Sequence, residues 1–65
     1  MINLSITPEV LLSLVNTKLR NDFRSLDVMC EELELDQHEL EKRLSDIGYV
    51  YSDKNNQFIF KKEGL

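Results

Sequence analysis

The chain has very little of what builds stapled, metal-bound or phosphate-gripping sites. Its 65 residues include one cysteine, one histidine, one proline and two glycines. A single cysteine excludes an internal disulfide and suits a reducing cytosol. One cysteine and one histidine cannot fill a zinc site alone. The glycines are Gly48 and Gly64, so no glycine-rich phosphate loop is encoded. No apolar run approaches the length of a bilayer span, and no charged, apolar, small-residue series opens the chain. Repeats, low-complexity tracts and dividing linkers are missing too. These absences predict one domain over residues 1–65, cytoplasmic, with no cofactor, no metal and no membrane partner. A domain of this size buries only about 60% of its unfolded surface, so its stability is small unless chains associate.

Local signals for structure are strong. Thr7-Pro8-Glu9 reads as a helix start: a cap residue, proline at the first helical position, an acid in the first turn. Leu11, Leu12, Val15, Leu19 and Phe23 then form one apolar stripe, predicting a first helix from about Pro8 to Phe23. Ser25 caps a second helix, with Asp27 at the positive end of its dipole. Leu26, Met29, Cys30 and Leu33 make its apolar face. Asp36-Gln37-His38-Glu39 has the form of a capping box, and Leu35 and Leu40 are placed as a hydrophobic staple. Leu40, Leu44 and Ile47 line a third helix, which Gly48 ends as a left-handed residue. Only Glu34 separates the second helix from the staple, where a helix-turn-helix usually has glycine. The expected strain of a left-handed glutamate predicts a looser turn there.

After Gly48 the period becomes two. Tyr49-Val50-Tyr51 and Gln57-Phe58-Ile59-Phe60 are rich in aromatic and β-branched residues, and the polar run from Ser52 to Asn56 is turn chemistry. A hairpin with a five-residue loop follows, with Tyr49 and Tyr51 on one face of its first strand and Phe58 and Phe60 on one face of its second; one of these aromatic sets covers the helices, and which face of the hairpin is buried stays open. At the opposite end Ile2, Leu4 and Ile6 alternate with Asn3 and Ser5. This is the pattern of a short strand that could extend the hairpin, and equally of a terminus whose apolar residues pack loosely. The fold class is therefore α+β: three helices followed by a C-terminal β-hairpin, winged helix-turn-helix-like, with an optional N-terminal strand.

Charge argues about partners. The net charge of −4 is uneven. Residues 26–47 hold Lys42 and Arg43 against Asp27, Glu31, Glu32, Glu34, Asp36, Glu39, Glu41 and Asp46, a net of −6, while the segments before and after each carry +1. Phosphate neutralisation by lysine and arginine supplies most non-specific DNA affinity. An acidic third helix, showing His38, Lys42, Ser45 and Asp46 beside Glu39 and Glu41, disfavours nucleic acid. Lys54, Lys61 and Lys62 could still meet a backbone from the hairpin. Catalysis has less support. His38 reads as a solvated surface residue. Cys30 lies on an apolar face among Glu31, Glu32 and Glu34, without the cationic neighbour a reactive thiol needs. The acids of the second helix point in different directions.

The segment Leu11-Leu12-Ser13-Leu14-Val15-Asn16-Thr17-Lys18-Leu19-Arg20 has a character of its own. So do Ser25-Leu26-Asp27, Cys30, Ile47-Gly48-Tyr49 with Tyr51, and Asn56-Gln57-Phe58. In these stretches, from about Pro8 to Phe58, the chain resembles a family of small bacterial proteins, domain of unknown function 4250. The family usually has Asp directly after the Arg of its Val-Asn-Thr-Lys-Leu-Arg stretch; here Asn21 intervenes before Asp22. The resemblance implies a stand-alone bacterial cytosolic protein and supplies no activity, cofactor or ligand. Within the segment, Asn16, Thr17 and Arg20 project from the polar side of the first helix with Lys18 flanking the stripe, and form a docking patch for a protein or an RNA backbone; in the alternative, Asn16 and Arg20 bridge to loop carbonyls or to acids of the second helix and hold the first in register. The reading that results is a non-catalytic interaction module binding an unidentified protein or a second copy of itself, with nucleic acid as the alternative. The candidate contacts are Asn16, Lys18, Arg20, His38, Lys42, Lys54 and Lys61.

Overall fold

The computed structural model describes residues 3–61. Three helices, α1 (Pro8–Asn21), α2 (Leu26–Glu32) and α3 (Gln37–Ser45), precede a two-stranded antiparallel sheet of β1 (Tyr49–Ser52) and β2 (Gln57–Phe60). The arrangement is α+β.

The helices α2 and α3 begin where the sequence supplies a side-chain partner for a terminal amide. Ser25 Oγ accepts from the Val28 amide at 3.2 Å, and Asp36 Oδ1 accepts from the Glu39 amide at 3.1 Å. The return half of the capping box does not form, because Glu39 Oε2 takes Arg43 Nε at 3.1 Å instead. Thr7 occupies the N-cap of α1 in extended conformation without a side-chain cap bond, leaving proline geometry to start the helix.

The α2–α3 turn is tight rather than loose. Glu34 adopts φ 55. The Leu35 amide donates to Cys30 O at 2.8 Å and the Glu34 amide to Glu31 O at 3.3 Å, the paired bonds of a Schellman motif. Two satisfied carbonyls and the docking of Leu35 on the core outweigh the roughly 1 kcal/mol cost of a left-handed glutamate. Gly48, at φ 87, ends α3, and the ring of Phe60 lies 2.7 Å from where a Cβ would sit. Both backbone angle and space reserve this position for glycine.

The N-terminal strand is not formed among the described residues, and Ile2 lies outside them. The Asn3 side chain accepts from the Ser5 amide at 2.9 Å and from Ser5 Oγ at 2.7 Å, while the Ile6 amide bonds Asn3 O at 3.2 Å. A local asparagine turn wins over extension. Leu4 and Ile6 still pack on the core.

That core comprises Leu11, Val15, Leu19, Leu26, Met29, Cys30, Leu40, Leu44 and Phe58. The strand register pairs Tyr49 with Phe60 and Tyr51 with Phe58, with ring centroids 5.4 and 5.6 Å apart. The aromatic face of the hairpin turns toward the helices, Phe58 fully and the tyrosines partly buried. Val50 and Ile59, paired on the other face, are exposed. The connecting turn is Asp53–Asn56, one residue shorter than expected, since Ser52 joins β1.

Candidate interaction surface

A two-stranded sheet has two outer edges, and this one treats them differently. On the β2 side, Asn16 of α1 acts as a surrogate strand. Its Nδ2 donates to Phe58 O at 3.1 Å and its Oδ1 accepts from the Phe58 amide at 2.8 Å. A carboxamide thus reproduces both bonds of a neighbouring peptide group across 42 positions of sequence. Gln57 Nε2 adds a bond to Asn16 O at 3.0 Å.

The turn is held as firmly. Asn56, in left-handed conformation at φ 51, donates through Nδ2 to Leu19 O in the last turn of α1 at 3.0 Å and to Phe23 O in the α1–α2 connection at 2.9 Å. Its Oδ1 accepts from the Tyr51 hydroxyl at 2.6 Å, which itself accepts from the Leu26 amide at the start of α2 at 3.2 Å. One asparagine and one tyrosine therefore bind the α1–α2 junction to the hairpin with no charged group. No buried side-chain polar atom among the described residues lacks a partner.

The β1 edge is open. Since Phe58 directs its amide and carbonyl away from β1, antiparallel alternation assigns the interstrand bonds to Val50–Ile59 and Ser52–Gln57. The Lys61 amide continues the series to Gly48 O at 2.7 Å. The amides and carbonyls of Tyr49 and Tyr51 therefore point outward, and they have no hydrogen-bond partner among the described residues. Beside this edge runs a groove of about 440 Å³, walled by His38, Glu41, Lys42 and Ser45 of α3 and floored by Tyr49, Tyr51 and Phe58.

The sequence candidates scatter. Asn16 is half-buried and occupied by the seam, so it serves as a bridge, though to a strand rather than to a loop or an α2 acid. Lys18 pairs with Asp22 at 3.7 Å on the surface. Arg20 is exposed and has neither ion pair nor hydrogen bond among the described residues; it borders a shallow notch with Asn55 and Gln57. His38 and Lys42 come together on the groove wall. Lys54 is exposed in the turn and Lys61 just after β2; Lys62 lies outside the described residues. Glu41, Ser45, Tyr49, Val50 and Tyr51 were not candidates. Their signal was available in Tyr49-Val50-Tyr51-Ser52, a strand without the lysine, proline or bulge that protects most edges.

Chemistry is thinly provided for. Burial, with the charges of Glu41, Asp27 and Asp36 adding to it, pushes the Cys30 thiol up to about 11. It is a neutral, packed side chain at ordinary pH. Among the described residues no three histidine, cysteine or acidic side chains gather as a metal site, and no helix is long and apolar enough to cross a membrane.

The family model described as Domain of unknown function (DUF4250) matches residues 6–58. The chain belongs to the DUF4250 family. No curated protein and no solved structure gave a match. Asn16, Tyr51, Asn56, Gln57 and Phe58, each of which contributes a bond to the seam, and Gly48, which gives Phe60 its place, all lie within the matched residues.

Proposed function

We propose that this protein is a non-catalytic interaction module whose partner is a protein, received at the β1 edge and the groove between β1 and α3. One observation carries the reading: the β2 edge and the turn are closed by dedicated side chains, whereas Tyr49 and Tyr51 present two unspent amides and carbonyls. Strand addition uses such groups, with main-chain bonds giving affinity and the adjoining groove giving selectivity.

The alternative starts from the element order, three helices then a hairpin, and reads it as a winged helix-turn-helix. It would place α3 in a DNA groove with Lys54 and Lys61 on the phosphates. The distribution of charge weighs against it. Arg43 is committed to Glu39, and Lys42 and His38 share the α3 surface with Glu41. The net of −6 over residues 26–47 opposes approach to a polyanion.

Two titrations of isotope-labelled protein followed by amide shifts decide between them. The probes are peptides selected from a random displayed library and a mixed-sequence DNA duplex at low salt. The reading expects peptides whose shifts centre on Tyr49–Ser52 and whose binding barely responds to salt. Steeply salt-dependent duplex binding centred on α3, with no peptide engaging β1, would replace it with the nucleic-acid reading.

A further inference from the structure

We infer that the partner for the β1 edge is a second copy of this chain, joined to the first by antiparallel pairing of the two β1 strands about a two-fold axis at Val50. This rests on the protein-binding reading of that edge and specifies its occupant.

The sequence of the edge is its own complement. Tyr49-Val50-Tyr51 reads the same in both directions. When it meets itself antiparallel, Tyr49 of each copy lies opposite Tyr51 of the other and Val50 lies opposite Val50. The positions that must exchange main-chain bonds in this register are Tyr49 and Tyr51, whose amides and carbonyls point outward. Val50, whose own amide is spent on Ile59, falls at the non-bonded site where side chains approach most closely. A register shifted by one residue would set inward-facing groups at the joint and form none of these bonds.

Side chains agree with the backbone. Val50 and Ile59 are opposite each other and exposed, at 38% and 42%. In the pair they become a row of four apolar residues, Ile59–Val50–Val50–Ile59, across a continuous four-stranded sheet. The tyrosines of the incoming strand fall on the groove side. The Tyr49 hydroxyl, which has no hydrogen bond among the described residues, is carried toward the polar wall of His38, Glu41 and Ser45.

Charge selects this surface for self-contact. Residues 49–52 contain no Asp, Glu, Lys, Arg or His in a chain of net −4, so two copies meet there without like charges facing each other. Contact through α2 and its turn would set Asp27, Glu31, Glu32, Glu34 and Asp36, all exposed, against their own images. Area bounds the contact. A standard interface takes about 800 Å² from each partner. A four-residue edge is a small contact by that measure, which suits a weak, reversible dimer.

Sedimentation velocity from about 10 µM to about 1 mM tests the inference, on the wild type and on Val50→Lys and Leu14→Lys. The expected result is a reversible monomer–dimer equilibrium that Val50→Lys weakens at least about tenfold and Leu14→Lys leaves unchanged. Amide exchange gives a second readout independent of any variant: protection at Tyr49 and Tyr51 should rise with protein concentration while that at Phe58 stays constant. A wild type monomeric throughout, or a dimer that survives Val50→Lys and dissolves on Leu14→Lys, overturns the inference. Exposed Val10 and Leu14 of α1 would account for the latter. A monomer that still binds library peptides at β1 would remove the second copy and leave the protein-binding reading standing. Loss of both removes both.

Discussion

The contact of α1 with the hairpin and the contact of α2 with α3 solve the same problem by different means. The first is a polar seam. Asn16, Asn56 and Gln57 make five bonds between side chain and backbone across it, the Tyr51 hydroxyl braces Asn56 from within the hairpin, and the same hydroxyl accepts from the α2 amide at Leu26. The second is apolar within, through Leu26, Met29, Cys30, Leu40 and Leu44, and acidic without. Hydrogen bonds have one good geometry, so the seam sets the register and leaves one strand edge satisfied. Apolar packing sets proximity and volume but not register; there the caps at Ser25, Asp36 and Glu34 locate the helices. The edge left outside the seam is the one available to a partner.

The comparison breaks most visibly at Leu44, which is fully buried in the helical half. Leu44→Asp places an unpaired carboxylate in the core at a cost of about 3–5 kcal/mol. That equals most of the stability of a small domain, so the variant should lose its cooperative thermal transition by circular dichroism. If it melts like the wild type, the packing of α3 is misassigned.

Asn16→Asp attacks the seam with almost no change of shape. It replaces the donor facing Phe58 O by an acceptor and adds a half-buried charge. A loss of about 2–3 kcal/mol in urea unfolding is expected, together with loss of Phe58 amide protection. An unchanged midpoint would mean that the bond pair contributes nothing net.

The Cys30 thiol distinguishes the halves by pH. Its folded value is raised from 9.0 to about 11, so the contribution is fully present below pH 9 and is lost as pH rises through 11. Stability measured against pH should fall across that window by on the order of 2–3 kcal/mol more in the wild type than in Cys30→Val. Parallel curves would show that burial of the thiol does not matter.

The smallest effect has the opposite sign. Glu34→Gly relieves a left-handed glutamate and should raise stability by up to about 1 kcal/mol, less the added freedom of the unfolded chain. A destabilised variant would show that the Glu34 side chain makes a contribution beyond its backbone angle.

What could be read in the chain beforehand follows the same division. The α2–α3 half is encoded locally: Ser25 and Asp36 cap residues three positions on, and Leu40 and Leu44 repeat at helical spacing. Gly48 and the aromatic alternation likewise announced the hairpin. The alternation of Leu4 and Ile6 leaves a strand and a loosely packed terminus equally open, and the bonds of Asn3 to Ser5, two residues away, decide against the strand. The seam was out of reach for a different reason. Asn16 and Asn56 look like ordinary polar residues on a helix and a turn. Their partners lie 42, 37 and 33 positions away, and nothing local distinguishes a surrogate strand from a solvated carboxamide. That Tyr49–Ser52 carries no edge guard is legible in the sequence, but that its amides and carbonyls face outward follows only once Asn16 has shown which way Phe58 faces.

The contrast between the two sheet edges is tested most directly by residue-resolved amide hydrogen exchange in dilute solution, where any self-association is minimal. The account predicts that the Phe58 amide exchanges only on global unfolding, while Tyr49 and Tyr51, two strand residues a few ångströms away, exchange far faster through an edge open to water. Equal protection at all three positions in dilute protein would contradict it.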